Sequence, residues 1–327
     1  MRNTQYTTHD IRTTMVLFPT PSTSHVPYDL IYEPAEDSFL FLDTLSSPSE
    51  REWLHSRFRD PVFATATSKL NSTSSSTTPT SNIPLVVEIG PGSGVIIAFL
   101  TANALPIFGT QVLSLAVDIN PHAALATRTT VAKAVAEQRP NEAHDQKRAT
   151  SNASPSPGTA SYLGSLLGNL TAPLRPGEVD VLVFNPPYVP TESVPVLGPG
   201  SGSGSGPRST AHAASSTASV SFEESSKLLE LSYAGGLDGM EVTNRLLSQI
   251  PGMLSPRGVA YVLFCRGNRP EEVKRGIAAW EGGRTKAEGE MWKWKWRAET
   301  VGSSGKTAGW EKLEIVRIWR EWEAAVN

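Results

Sequence analysis

A chain of 327 residues with a formal net charge of -3 and a pI near 6.1 carries no global attraction for a polyanion, which weighs against a nucleic-acid-coating protein. Its single cysteine, Cys265, excludes an internal disulfide and any multi-cysteine zinc site within the chain, and its six histidines form no ligand-spaced cluster. The apolar stretch after Gly94 is broken by Thr101, Asn103 and Pro106, so it is too short to span a bilayer.

Residues 1–26 hold Arg2 and Arg12 among many Ser and Thr without an arginine-rich amphipathic pattern, and read as a flexible tail before one domain over 27–327. The first helix opens at Pro34, with Glu36 and Asp37 in its first turn and Phe39, Leu40, Phe41, Leu42 and Leu45 as core. A strand over 85–89 then runs through Gly90-Pro91-Gly92-Ser93-Gly94 into a helix, and a second strand over 112–117 ends in Asp118 before a helix starting near Pro121. The third strand falls at Tyr162-Leu163-Gly164-Ser165-Leu166-Leu167. The run over 179–184 is short, β-branched and nearly all apolar, as a central strand buried on both faces must be. Asn185-Pro186-Pro187-Tyr188 follows it directly.

A helix over 237–250, a strand over 259–264 and a helix over 270–280 complete the alternation. The chain closes on Met291-Trp292-Lys293-Trp294-Lys295-Trp296-Arg297, which alternates strictly, with 313–319 as its antiparallel mate. Tryptophans interleaved with cations suit nucleic acid, and equally suit a hairpin with one face on the core. These elements predict an α/β fold: a Rossmann-like, seven-stranded, mostly parallel sheet with a C-terminal antiparallel hairpin and helices on both faces. Three low-complexity stretches, 64–82, 139–159 and 191–221, bury too little apolar surface to order themselves and read as loop insertions. Cys265, just after the fifth strand, reads as a small core residue.

The chemistry concentrates at the carboxyl ends of the strands, where such sheets bind ligands. Gly90, Gly92 and Gly94 let a ligand approach the backbone, and Glu88, two residues before the first of them, would repel a diphosphate. That acid suits the positively charged amino acid part of S-adenosylmethionine, and Asp118 suits the ribose hydroxyls. After the fourth strand, the Asn185 side-chain oxygen and the Pro186 carbonyl can accept both N–H groups of a planar amide or aromatic amine. Pro186 and Pro187 stiffen that loop, and the Tyr188 ring can pack on the flat target. A strand that simply ends in a Pro-Pro turn is the plain alternative.

These residues resemble the HemK-like glutamine N5-methyltransferases, in particular the catalytic subunit that modifies the eukaryotic class I translation release factor. The resemblance is carried by Tyr32-Glu33-Pro34-Ala35-Glu36-Asp37-Ser38-Phe39, Glu88 to Val95, Asp118-Ile119-Asn120-Pro121, Asn185 to Val189, Ala234-Gly235-Gly236-Leu237-Asp238-Gly239 and Leu254-Ser255-Pro256-Arg257-Gly258, in family order. It implies the class I methyltransferase fold, S-adenosylmethionine as cofactor, and Ser38 as a cofactor contact in place of the threonine often seen there. An acid after the third strand commonly contacts the adenine amino group in this family. The matching positions here are Ser165 and Leu166, and a serine loses the charge-assisted bond.

The resemblance further implies the glutamine of a Gly-Gly-Gln loop as acceptor and a small zinc-binding activator as heterodimer partner, while the single cysteine is compatible with a reducing cytoplasmic or nuclear setting. Three alternatives stand beside it. One is a nucleic-acid adenine N6-methyltransferase using the same Asn185 to Tyr188 clamp; another is a histone lysine methyltransferase; the third is a non-catalytic cofactor-binding subunit.

Overall fold

The computed structural model describes residues 18–59, 83–138, 160–195, 222–287, 290–304 and 312–324. The three low-complexity stretches lie outside the described residues, apart from 191–195. Of the segment 1–26, residues 18–26 are described and lie on the domain. There Phe18 meets Phe99 edge-on at 6.1 Å, and His25 Nε2 lies 3.3 Å from Ala126 O.

In chain order the elements are α1 (Glu36–Ser46), α2 (Pro48–Arg59), β1 (Leu85–Ile89), α3 (Val95–Ala102), α4 (Ala104–Phe108), β2 (Leu113–Asp118), α5 (Pro121–Glu137), β3 (Ser161–Leu167) and β4 (Val179–Phe184). They continue with α6 (Phe222–Tyr233), α7 (Glu241–Met253), β5 (Leu254–Cys265), α8 (Pro270–Ala278), β6 (Gly283–Ala287), β7 (Glu290–Ser303) and β8 (Leu313–Ala324). One mixed sheet has the order β3-β2-β1-β4-β5-β8-β7-β6, parallel through β5 and antiparallel beyond it.

The sheet has eight strands, one more than the expected seven. The extra one, β6, pairs antiparallel with the start of β7. Its sequence, Gly-Arg-Thr-Lys-Ala, has no apolar alternation, so only the hydrogen bonds offered by β7 make it a strand. Two helix boundaries also differ. Pro34 precedes Ala35, the N-cap of α1, rather than opening the helix. The expected helix over 237–250 divides into a single turn, Leu237–Gly239, and α7, because Asp238 sits at φ 55° in the left-handed region.

Strands β1 and β4 are buried on both faces, and alternate residues feed two cores. Val181 and Val183 join Phe41, Leu45, Ile97 and Phe108 on one side, while Leu182 and Phe184 join Leu246, Ile250 and Ile277 on the other. Cys265 is wholly buried, as a small core residue should be. In the terminal hairpin Trp296 enters the second core, and its ring meets Trp280 edge-on at 5.2 Å. The opposite face carries cations matched by acids: Lys293 and Lys295 pair with Glu323, and Lys295 and Arg297 with Glu321. The tryptophan–cation alternation is therefore accounted for by packing and cross-strand ion pairs.

One buried polar node ties β4 to its neighbours. Asp180 accepts Arg257 Nε at 2.8 Å and Nη2 at 3.0 Å, Ser255 Oγ at 2.7 Å and the Leu85 amide at 3.0 Å. Removing the carboxylate leaves Arg257 buried without its counter-ion. We expect Asp180→Ala to lower unfolding stability by about 3–5 kcal/mol in chemical denaturation. A loss below about 1 kcal/mol would mean that water or a neighbour takes over the charge.

Candidate active site

A cavity of about 550 Å³ opens at the carboxyl ends of β1, β2 and β4, within the usual range for a small-molecule site. Its position follows from strand register. Ile89 pairs with Phe184, so the chain leaves the sheet at Gly90 and at Asn185 side by side. Gly90 N donates to Val117 O at 2.8 Å, which draws the glycine turn across to the end of β2.

Four acids line the cavity; Glu241 is exposed, and the other three are buried: Asp37 is 4 % exposed, Glu88 1 % and Asp118 6 %. None forms an ion pair with a described residue. Backbone amides hold them instead. Glu88 Oε2 accepts Ile97 N at 2.8 Å, and Asp37 Oδ1 accepts Ser38 N at 2.6 Å. Asp118 takes Gly92 N at 3.1 Å and Asn120 N at 2.8 Å, bracing the glycine turn. Burial pushes the Glu88 carboxyl up to about 8 and that of Asp118 up to about 6. Such a site favours a ligand that brings positive charge and disfavours a diphosphate.

Asn120 also shapes the wall. Its Oδ1 caps α5 by accepting His122 N at 2.9 Å, with Pro121 at the helix start, and its Nδ2 donates to Leu30 O at 2.9 Å. Leu30, Ile31 and Tyr32 are thereby held along the cavity.

The loop Asn185 to Tyr188 forms the opposite wall. Asn185 Oδ1 is buried and has no hydrogen-bond partner among the described residues. A buried, unmet carbonyl oxygen costs about 1–3 kcal/mol unless a donor reaches it, which marks the place for a ligand N–H. The segment Ala234 to Gly239 supports this loop from behind: Val189 N donates to Tyr233 O at 3.0 Å and Gly235 N to Val189 O at 2.8 Å. Gly239, at φ 68°, lies so close that a Cβ would overlap the Tyr188 carbonyl.

Ser38, Glu88, Gly90, Gly92, Asp118, Asn185, Pro186, Pro187 and Tyr188 all line the cavity as the sequence predicts. Gly94, Ser165 and Leu166 do not. A Cβ on Gly94 would stand 2.7 Å from Thr127 Cα, so the bare glycine lets α3 pack on α5. Ser165 lies within β3, paired with Ala116, and its hydroxyl is 2.6 Å from Tyr162 Oη. The cavity is reached three residues further on, by Gly168, and then by Asn169 and Leu170. Sequence reasoning missed these because the acid expected after the strand is absent. Asp37 was read only as a helix-start acid.

The sheet, the glycine turn between two buried acids and the Asn-Pro-Pro-Tyr loop together define a class I, Rossmann-like methyltransferase. No family model matches the chain. It is 30% identical over 259 residues to Methyltransferase HEMK2 of Homo sapiens, a match that covers 78% of this chain and 83% of that protein. It is 28% identical over 261 residues to the eRF1 methyltransferase catalytic subunit mtq2 of Schizosaccharomyces pombe, covering 79% and 83%. Among solved structures, Mtq2 in the E. cuniculi Mtq2–Trm112 complex matches with a TM-score of 0.42 and 17% identity, covering 88% of this chain and 98% of that one. The chain belongs to the HEMK2/Mtq2 family of glutamine methyltransferases.

The raised Glu88 value has a sign that can be measured. Relative to an ordinary 4.5 in the unfolded chain, the folded state prefers the protonated form, so this contribution is fully present below about 4.5 and is lost as pH rises through about 8. Glu88→Gln, which does not ionise, should gain thermal stability over the parent between pH 5 and pH 8.5 in cofactor-free protein. A Tm difference that stays flat across that range would show that Glu88 is already ionised at pH 5.

Proposed function

We propose that this chain transfers the methyl group of S-adenosylmethionine to the side-chain amide nitrogen of the glutamine in the Gly-Gly-Gln loop of a class I translation release factor. The observation that carries this reading is Asn185 Oδ1, a buried acceptor with no partner among the described residues, set in the wall of a cavity that three buried acids also line. S-adenosylmethionine supplies an electrophilic sulfonium methyl. Glu88, Asp37 and Asp118 suit its charge and hydroxyls, and Ser38, Gly90 and Gly92 border the same space.

An amide nitrogen has its lone pair in resonance and must be held before it attacks. Asn185 Oδ1 and the Pro186 carbonyl accept its two N–H groups, so the face of the nitrogen points at the methyl and positioning supplies much of the rate. The amide keeps its extra proton until the N–C bond has formed. Acceptor oxygens that favour the positive charge then building on nitrogen provide the stabilisation, and a strong base is not required. Pro186 and Pro187 have no N–H to compete for these acceptors.

Names of relatives support the acceptor: mtq2 of Schizosaccharomyces pombe is called an eRF1 methyltransferase catalytic subunit. A nucleic-acid adenine shares the geometry of a flat amine beside an acceptor, and is the second reading. The activator partner belongs to the same proposal, with the protein acting in the cytoplasm beside the termination machinery. We assign that partner to the outer edge of β3. This is the terminal parallel strand of the sheet, and it exposes Leu163 (57 %) and Leu167 (62 %), an edge of the kind that another chain completes.

Labelled methyl transfer to the release factor, to its Gly-Gly-Gln glutamine-to-alanine variant, and to DNA and RNA tests the reading. Label on the wild-type factor alone is expected; label on nucleic acid moves the clamp to adenine. Asn185→Ala should reduce transfer by about 10²–10³-fold with cofactor affinity nearly unchanged, and unaltered transfer would sink the clamp. For the partner, Leu163→Lys with Leu167→Lys should abolish co-purification with a co-expressed zinc-binding activator while leaving the Tm of the isolated chain within a few degrees. Retained co-purification would place the interface elsewhere.

A further inference from the structure

At the end of β3 the cavity is lined by the amide of Asn169 rather than by an acid. Strand order runs β1, β2, β3, so a ligand anchored at the glycine turn and at Asp118 continues outward to the end of β3. Gly168 N donates to Asp118 O at 2.9 Å, which sets Asn169 immediately beside Asp118 on the cavity wall, over the buried Leu170. From α7, which packs along the same wall, Arg245 Nη2 donates to Asn169 Oδ1 at 2.9 Å. A guanidinium has donors only, so this bond settles the amide orientation: the oxygen is turned to α7 and Nδ2 is the group left for a ligand.

We infer that Asn169, held by Arg245, reads the adenine ring by donating Nδ2–H to its N1 acceptor, rather than by accepting from its amino group. The inference rests on the cofactor reading above. It makes Asn169 a binding residue and Arg245 a positioning residue, and assigns this end of the site to a base whose ring nitrogen at that edge lacks a proton.

The test is calorimetric binding of S-adenosylhomocysteine and of two analogues, one with N1 replaced by C–H and one lacking the 6-amino group, to the whole chain. The N1-lacking analogue is expected to bind about five- to tenfold more weakly, the worth of one neutral hydrogen bond, and the amino-lacking analogue within twofold of the parent. Asn169→Asp should reverse the order, since a carboxylate accepts from the amino group and repels N1. Arg245→Met, at an exposed position, should leave S-adenosylhomocysteine bound while the preference between analogues collapses, because the amide is then free to turn over. If the N1-lacking analogue binds as well as the parent, the inference is overturned and the cofactor reading stands. If S-adenosylhomocysteine itself fails to bind, both fall together.

Discussion

The parallel pairing of β1 with β4 is the constraint from which the rest of the site follows. Because Glu88 lies opposite Val183 and Ile89 opposite Phe184, the glycine turn and the Asn-Pro-Pro-Tyr loop leave the sheet at the same level. A one-residue slip would turn each strand's side chains to the wrong core, and both faces of these strands are buried, so the register is strongly held. The Asp180–Arg257 node reinforces it from the opposite end of β4, where the Leu85 amide at the start of β1 shares the same carboxylate. The distance between the two halves of the site is thus set by core packing rather than by the loops.

Charge balance gives the cavity its chemical preference. Three buried acids without a cationic partner among the described residues leave a deficit that burial partly relieves by favouring the protonated forms of Glu88 and Asp118. A cationic ligand relieves it more fully. Dinucleotide sites built on the same fold place a phosphate at the glycine turn, and the Glu88 carboxylate held to Ile97 N occupies the amide that would begin to receive one. Fold alone would leave these choices open, and the buried acids decide between them.

Rigidity on the acceptor side is borrowed from elsewhere in the chain. The loop after β4 contains two residues without N–H groups, so it has few bonds of its own and leans on Ala234 to Gly239. Asn268, beyond β5, joins the two by donating Nδ2 to Asp238 O at 3.0 Å and to Tyr188 O at 3.5 Å, while its Oδ1 accepts Cys265 N at 2.8 Å. Close backbone approach at Gly235 and Gly239 explains why glycine recurs there, where any side chain would press on the Pro187 or Tyr188 carbonyl.

The local signals that determine strands, caps and loop stiffness were legible in the amino-acid order. Val179 to Phe184 announced a central strand because every residue but Asp180 is apolar, and Asn185, Glu88 and Asp118 were found because each stands at or beside the end of such a run. What depended on distant partners was not legible. Strand β6 exists only because β7 offers it hydrogen bonds, Asp37 looked like a helix-start acid until the fold set it in the cavity wall, and the packing of Gly94 on Thr127 of α5 had no local signal. The adenine end was placed at Ser165 and Leu166 because the motif was sought by residue type. From that stretch the fold brings Gly168, Asn169 and Leu170 to the cavity, because β3 runs on through Leu167. Sequence by itself determined which segments form the main strands and helices and which residue types stand at their ends, since these are short-range properties of pattern; only the tertiary structure decided which of those residues share one cavity, because that depends on where separate elements end in space.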